Sequence, residues 1–513
     1  MQNAIAQIIT DSAKHFGDKT ALIIDGQAFT YARLEALSNQ VANSLSASGI
    51  ASGDRVTLYG ANAWEWVVSY YGALKTGAVI NPINVMLTPE EVEYVVNDCG
   101  AKAIIASKEK GLPLTGLETR SSLETLILYG ENIPAGASDF EQWIQGASEE
   151  FAEPAIDTDS LSTICYTSGT TGKPKGAMLS HKAVITNFTM SALMHGRSAK
   201  DVMVNALPCP HVYGYGIMNA CFHKGGTLVL HSVFDPEQVL ASMENHQATH
   251  FDGVPTMYMY LLESPTLGQR NLSSLRLCTV GGQAMPLTKM AQVEEQFQCS
   301  LVELWGMTEL AGLGSTFAWN GDYRHGSIGV PIPYTQAKIM DTENPGTEMP
   351  SGEAGELVIR GPIVMQGYFG NEAATRETLS ADGWMRTGDV ARIDADGFIV
   401  IVDRIKDMIL TAGFNIYPAE LENTIASHPD VALVAVGPIP DEFKGELAKA
   451  YIVLKQGASP SAEDILSFSR EHLAAYKVPR AIQFVDDLPK TSSGKVMRRE
   501  LIHFHNALSS NDQ

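Results

Sequence analysis

The densest group of chemistry-bearing residues is Tyr166-Thr-Ser-Gly-Thr-Thr-Gly-Lys-Pro-Lys-Gly176, which directly follows the apolar run beginning at Leu161. It combines three glycines, the hydroxyls of Thr167, Ser168, Thr170 and Thr171, and the ammonium groups of Lys173 and Lys175. Such a stretch supplies backbone N–H donors, hydroxyl donors and positive charge together, which suits a polyphosphate. A Walker A loop is excluded, because Gly169 and Gly172 stand too close together and Lys173 is followed by Pro174 rather than Ser or Thr. A solvated turn is the alternative, and it accounts poorly for so many phosphate-binding residue types in one run. A second candidate is Glu309, which follows Gly306 and Thr308 at the end of a strand-like run, the position where open α/β sheets bind ligands.

The elements that must position these residues are legible as alternating runs. Leu161–Tyr166, Val202–Leu207, Thr227–His231, Thr249–Asp252, Leu275–Val280 and Leu301–Leu304 read as short strands separated by helical stretches, the pattern of a doubly wound parallel sheet. Pro286 opens a helix that presents Met290, Val293 and Phe297 on one face. Strand-like runs at Ala21–Ile24, Val56–Tyr59 and Ala103–Ala106 predict a second α/β layer of the same large domain. After about residue 330 the strands come closer together, with Asp396-Gly397 as a hairpin turn. From Arg404 onward the pattern is that of a small α+β unit, with helices predicted from Pro418 and over Ala462–Leu473 and strands at Ala432–Val436 and Ala450–Leu454. Predicted domains are therefore 1–403 and 404–513.

Composition sets the outer bounds. The 513 residues exceed what one hydrophobic core organises. A formal charge of −22 argues against a nucleic-acid or anionic-lipid binder. Six scattered cysteines without a CxxC pair indicate reduced thiols and a cytoplasmic location rather than a disulfide framework. No signal peptide or membrane-spanning segment is predicted, since the most apolar stretch, Trp64 to Ile80, is broken by Glu65 and Lys75.

Several further motifs accompany the phosphate-type loop: Asn81-Pro-Ile-Asn84, Trp305-Gly-Met-Thr-Glu309, Gly352-Glu-Ala-Gly-Glu-Leu357, Gly367-Tyr-Phe369, Trp384-Met-Arg-Thr-Gly-Asp389, Asp403-Arg-Ile-Lys-Asp407 and Pro489-Lys-Thr-Ser-Ser-Gly-Lys495. In order and approximate spacing this series resembles the adenylate-forming superfamily, specifically its acyl-CoA synthetase branch. The resemblance implies a large N-terminal domain of doubly wound sheets with a distorted barrel-like β part, followed by a small mobile C-terminal domain. It also implies ATP, Mg²⁺ and coenzyme A, with a carboxylate attacking the α-phosphorus of ATP and a thiol then displacing AMP.

By that resemblance, Thr167 to Lys173 hold the phosphates, Thr308 donates to the α-phosphate and Glu309 holds Mg²⁺, as one carboxylate does when phosphate oxygens complete the shell. Trp305, with Gly306 and Met307 beside it, matches the aromatic stacked on adenine, a core tryptophan being the alternative. Gly281, Gly282 and Gln283 match the segment whose backbone approaches the adenine edge. Asp389 can accept from two adjacent ribose hydroxyls, with Arg404 as a second ribose or phosphate contact, unless the two merely pair with each other. Lys495 corresponds to the lysine bridging carboxylate and α-phosphate, an inference that rests wholly on the motif. Lys406 corresponds to the hinge, Gly413 to the thiol tunnel, and His211 to a group beside the substrate carboxylate.

The segment around His211 lacks the Asp with which amino-acid-activating relatives hold an ammonium. The neighbouring candidates Tyr213, Met218, Cys221, Phe251, Met257, Leu310 and Leu313 suit an alkyl or aryl chain. Asp252 is read as a turn cap as readily as a pocket residue. No carrier-protein segment follows residue 499, so coenzyme A is the expected thiol. The leading expectation is an ATP-dependent acyl-CoA synthetase for a medium- or long-chain fatty acid. Rivals are an aryl or cinnamate-type CoA ligase, an enzyme loading a separate carrier protein, luciferase-type oxygenation, and a non-catalytic nucleotide module. A homodimer is compatible with all of these.

Overall fold

The computed structural model describes residues 4–119, 121–167, 174–342, 344, 346–411, 414–441, 443–491 and 496–504. Two large sheets dominate. The first has nine strands, in the order Val330–Pro331, Gly312–Thr316, Ser300–Met307, Leu277–Gly281, His250–Gly253, Val202–Asn205, Thr227–Leu230, Thr20–Ile24 and Gln27–Thr30. From Ser300–Met307 through Thr20–Ile24 the pairing is parallel, and the edges are antiparallel.

The second sheet has eight strands, in the order Gly367–Tyr368, Lys175–Ser180, Leu161–Thr167, Val79–Pro82, Arg55–Tyr59, Ala101–Ser107, Thr125–Tyr129 and Ser138–Asp139. Sequence order therefore misgroups two strands. Leu161–Thr167 joins the sheet built by the first 150 residues, pairing with Val79–Pro82. Thr20–Ile24 crosses instead to the nine-stranded sheet, pairing with Thr227–Leu230. Each strand's apolar pattern sets which of its faces is buried but carries no information about which distant strand lies beside it.

Helices Tyr31–Ala47, Trp64–Lys75, His181–Met194 and Val212–His223 fill the space between the sheets, and their apolar faces share one core with Leu22 and Leu228 of one sheet and Leu58 and Ile105 of the other. Helices Pro236–Asn245, Pro255–Leu262 and Leu287–Phe297 cover the outer face of the nine-stranded sheet. Helix Pro89–Cys99 covers the outer face of the other. It is held at its start by the Thr88/Glu91 capping box and stopped by Gly100 in the left-handed region (φ 64°). The result is alternating helix and sheet layers, as expected.

A four-stranded antiparallel sheet follows, in the order Gln336–Met340, Gly355–Arg360, Met385–Ile393 and Ile399–Arg404, with Gly397 (φ 88°) in the predicted hairpin turn. Beyond the short turn Ile405–Asp407 the chain forms a separate five-stranded sheet from Ile409–Thr411, Phe414–Ile416, Val431–Asp441, Gly445–Leu454 and Ala481–Phe484. Helices Pro418–Ala426 and Ala462–His472 pack on it through Leu421, Ile425 and Ile465. No helix among the described residues is long and apolar enough to cross a membrane.

Candidate active site

Strand ends assemble the site. Ser300–Met307 runs into the turn Thr308–Leu310, so Glu309 leaves the sheet at a carboxyl-terminal strand edge, and its side chain is buried. Gly306 is required where this strand crosses its neighbour: a Cβ there would lie 1.9 Å from the Gly312 carbonyl oxygen. Glu309 is then fixed from two sides. Its carbonyl accepts from the Met365 N–H at 2.8 Å, and its Oε1 accepts from the Tyr368 hydroxyl at 2.9 Å. Burial, with the Glu309 charge adding to it, drives the Tyr368 phenol well above its ordinary range, so at neutral pH this hydroxyl is a proton-bearing donor.

Tyr368 also connects the carboxylate to the phosphate-type loop. Gly367–Tyr368 pairs with Lys175–Ser180, the strand leaving that loop, and the Lys175 ammonium lies 5.3 Å from the centre of the Tyr368 ring. The Gly367-Tyr-Phe369 motif is legible in the sequence, but the role of Tyr368 within it is not. Nothing in spacing alone links residue 368 to residue 309; the hydrogen bonds from Met365 and Tyr368 to Glu309 do. Thr167 ends its strand at the loop entrance, with its hydroxyl on the Lys175 carbonyl at 3.5 Å. Ser168, Gly169, Thr170, Thr171, Gly172, Lys173, Gly413 and Lys495 lie outside the described residues.

Trp305, Asp389 and Arg404 come together. The indole N–H donates to Asp389 Oδ2 at 2.8 Å, and the Arg404 guanidinium reaches Asp389 Oδ1 at 3.0 Å. Asp389 is 2% exposed, and burial raises its carboxyl above the usual range while Arg404 pulls in the opposite direction. The alternative read in the sequence, that Asp389 and Arg404 pair with each other, is thus what the protein does in this state. Trp305 is half-buried and packs beside the core around Leu310 and Ile359.

Gly281 ends its strand and Gly282 turns the chain in the left-handed region (φ 91°). Gln283 then leaves the sheet and brackets Val496, the residue that follows Lys495, with its Nε2 3.3 Å from the Val496 carbonyl and its Oε1 3.1 Å from the Val496 N–H. His211 caps helix Val212–His223, its Nδ1 accepting from the Tyr213 N–H at 3.1 Å. In the helix's first turn, the Tyr213 hydroxyl meets Thr279 Oγ1 at 2.7 Å, two residues before Gly281.

Two expectations need correction. Asp252 is no turn cap: it is fully buried, pairs with Arg197 at 2.6 Å and accepts from the Thr279 hydroxyl at 2.6 Å. Its position in the middle of the parallel sheet, between Asn205 and Thr279, explains this. The seven proposed lining residues also do not form one group. Phe251 and Met257 pack with Val280 on the outer face of the nine-stranded sheet, Met218 and Cys221 lie between the sheets, and Leu310 and Leu313 pack toward Ile359. Strand alternation sends Phe251 and Asp252 to opposite faces, which proximity in sequence conceals.

Comparison with known proteins gives this geometry a family. The family model described as "AMP-binding enzyme" matches residues 9–369, and "AMP-binding enzyme C-terminal domain" matches residues 420–495. The chain belongs to the AMP-binding enzyme family. A long-chain-fatty-acid–CoA ligase of Bacillus subtilis (strain 168) is 34% identical over 97% of this chain and 94% of that protein. A feruloyl-CoA synthase of an Amycolatopsis species is 36% identical over 94% of this chain and 95% of its own. Among solved structures, the anthranilate CoA ligase AuaEII in complex with anthranoyl-AMP matches with a TM-score of 0.92 at 30% identity, over 99% of this chain and 98% of that one. This AMP-binding enzyme is an adenylate-forming acid–thiol ligase, of a class that uses ATP, Mg²⁺ and coenzyme A.

Among the described residues no group of three or more His, Cys, Asp or Glu could hold a metal alone. The donor set nevertheless fits Mg²⁺: a buried carboxylate, oriented by a hydroxyl, leaves the rest of a hard-cation shell to phosphate oxygens and water.

Proposed function

We propose that this ligase activates a free, largely apolar carboxylic acid of the fatty-acid type, first as an acyl-adenylate and then as an acyl-CoA. In this reading Glu309 is the residue that would hold Mg²⁺, and the cation would supply positive charge to screen the phosphates. Thr308 and the loop Thr167–Lys173 donate to the phosphates, and Lys495 draws the substrate carboxylate and the α-phosphate together. Asp389 and Arg404 take the ribose, and His211 stands beside the carboxylate. Two anions must meet, so fixed cations and donors supply most of the catalysis and no covalent enzyme intermediate is needed. The observation that carries the reading is the Glu309–Tyr368–Lys175 connection, which links a metal-type carboxylate to the exit of the phosphate-type loop.

A second reading, an aromatic or otherwise polar-tipped acid, is favoured by a specific feature. Next to His211, the partly accessible Tyr213 opens a buried polar chain through Thr279 and Asp252 to Arg197. Among the described residues, Asp252 Oδ2 and Arg197 Nε find no partner. A wholly aliphatic chain gains nothing from the Tyr213 hydroxyl that heads this polar chain, whereas a hydroxyl or amino group does. The test is carboxylate-dependent pyrophosphate release, with and without coenzyme A, across saturated acids of increasing length and hydroxylated aryl acids. Highest kcat/KM on C8 to C16 acids supports the first reading. Preference for hydroxyaryl acids moves the assignment to the second, and turnover only with a carrier protein contradicts both.

A further inference from the structure

We propose that Gln283 is a positioning residue that seats the lysine-bearing segment of the small domain on the large domain. The inference rests on the reading of Lys495 as the adenylating lysine. Four observations carry it. The residues flanking that segment are paired to each other, Lys490 with Val496, in an antiparallel bridge, and the Met497 N–H closes on the Pro489 carbonyl at 2.8 Å. One flank, Val496, is bracketed by the Gln283 amide through both its N–H and its carbonyl. The other flank, Lys490, donates from its ammonium to the Tyr260 hydroxyl at 3.1 Å, on helix Pro255–Leu262. Behind Val496, Arg498 is held by Asp403, Asp407 and Glu422, which ties the segment to the turn between the two domains.

The chemistry of the bracket is that of a strand partner. A glutamine side chain offers one donor and one acceptor in the geometry of a peptide group, so it can pair with a backbone as a neighbouring strand would. It reads main-chain atoms only, and so depends on where residue 496 is rather than on its side chain. Two neutral hydrogen bonds bias the docked arrangement by roughly tenfold, which still permits release when the small domain must move. Gln283 also lies directly after Gly281-Gly282, the segment expected along the nucleotide. The clasp therefore joins the nucleotide-facing loop of one domain to the lysine segment of the other.

The test uses the full-length chain with Gln283→Ala and the partial mimic Gln283→Glu, which keeps the acceptor for the Val496 N–H and loses the donor. Amide hydrogen exchange in the peptide containing Val496 reads the clasp without any turnover. The two half-reactions, acid-dependent ATP–pyrophosphate exchange and thioester formation from supplied acyl-adenylate, read its consequence. In Gln283→Ala we expect exchange at Val496 to accelerate about tenfold and the ratio of adenylation to thioester formation to fall about tenfold, with Gln283→Glu intermediate in both. Unchanged exchange at Val496, or equal loss in both half-reactions, overturns the proposal. If wild-type protein turns over no acid, the substrate reading fails while hydrogen exchange still decides whether Gln283 clasps Val496.

Discussion

At the residue scale, the site depends on side chains that orient other side chains. Tyr368 is the clearest case, since its hydroxyl fixes one oxygen of a buried carboxylate. Tyr368→Phe keeps the ring under Lys175 and removes only that donor. A lost hydrogen bond to a charged group is worth about tenfold or more, so we expect the apparent Mg²⁺ requirement of adenylation to rise about tenfold with the small-domain hydrogen-exchange pattern unchanged. A Mg²⁺ titration that overlays the wild type would remove Tyr368 from this role. Residue types and motif order pointed to Glu309, Asp389, Arg404 and Trp305, and the structure brings the last three into contact. Tyr368 and the true setting of Asp252 were hidden in the sequence because both depend on pairings between strands distant along the chain.

At the element scale, the strand Ser300–Met307 carries a half-buried acid, Glu303. Glu303 has its carboxyl pushed up to about 7 by burial, with the Gly326 N–H at 2.7 Å opposing part of that shift. Its folded pKa lies above the unfolded value, so its favourable contribution is complete below about pH 4 and is lost as pH rises through about 7. Glu303→Gln keeps an acceptor for Gly326 and removes the charge. The variant should therefore gain about 1–2 kcal/mol over wild type at pH 8, read as a higher urea midpoint of the large-domain transition, and nothing at pH 4. An equal gain at both pH values would show that the charge is not the cause. The existence and type of this strand and its neighbours followed from apolar runs and turn residues, and helix Leu287–Phe297 buries Met290, Val293 and Phe297 as its spacing demanded. Assignment of Leu161–Thr167 and Thr20–Ile24 to sheets did not follow, because local patterning does not encode lateral order.

At the scale of the whole molecule, the turn Ile405–Asp407 joins the four-stranded sheet to the five-stranded sheet of the C-terminal part, and we propose it as the pivot for the small-domain movement that the family resemblance implies between half-reactions. Lys406→Pro fixes one backbone angle in that turn. We expect thioester formation from supplied acyl-adenylate to fall at least about tenfold while adenylation changes less than about threefold. A parallel fall in both would place the pivot elsewhere. The motif at Asp403–Asp407 marked this turn in the sequence. What it could not show is that Arg498, nearly a hundred residues later, folds back onto Asp403 and Asp407.

The most direct measurement is acid-dependent exchange of labelled pyrophosphate into ATP, without coenzyme A, for wild type and Lys495→Ala. The account predicts Mg²⁺-dependent exchange with at least one acid of the fatty or aryl panel and a loss of about a hundredfold or more in the variant. No exchange with any acid, or equal exchange in the two proteins, would contradict it.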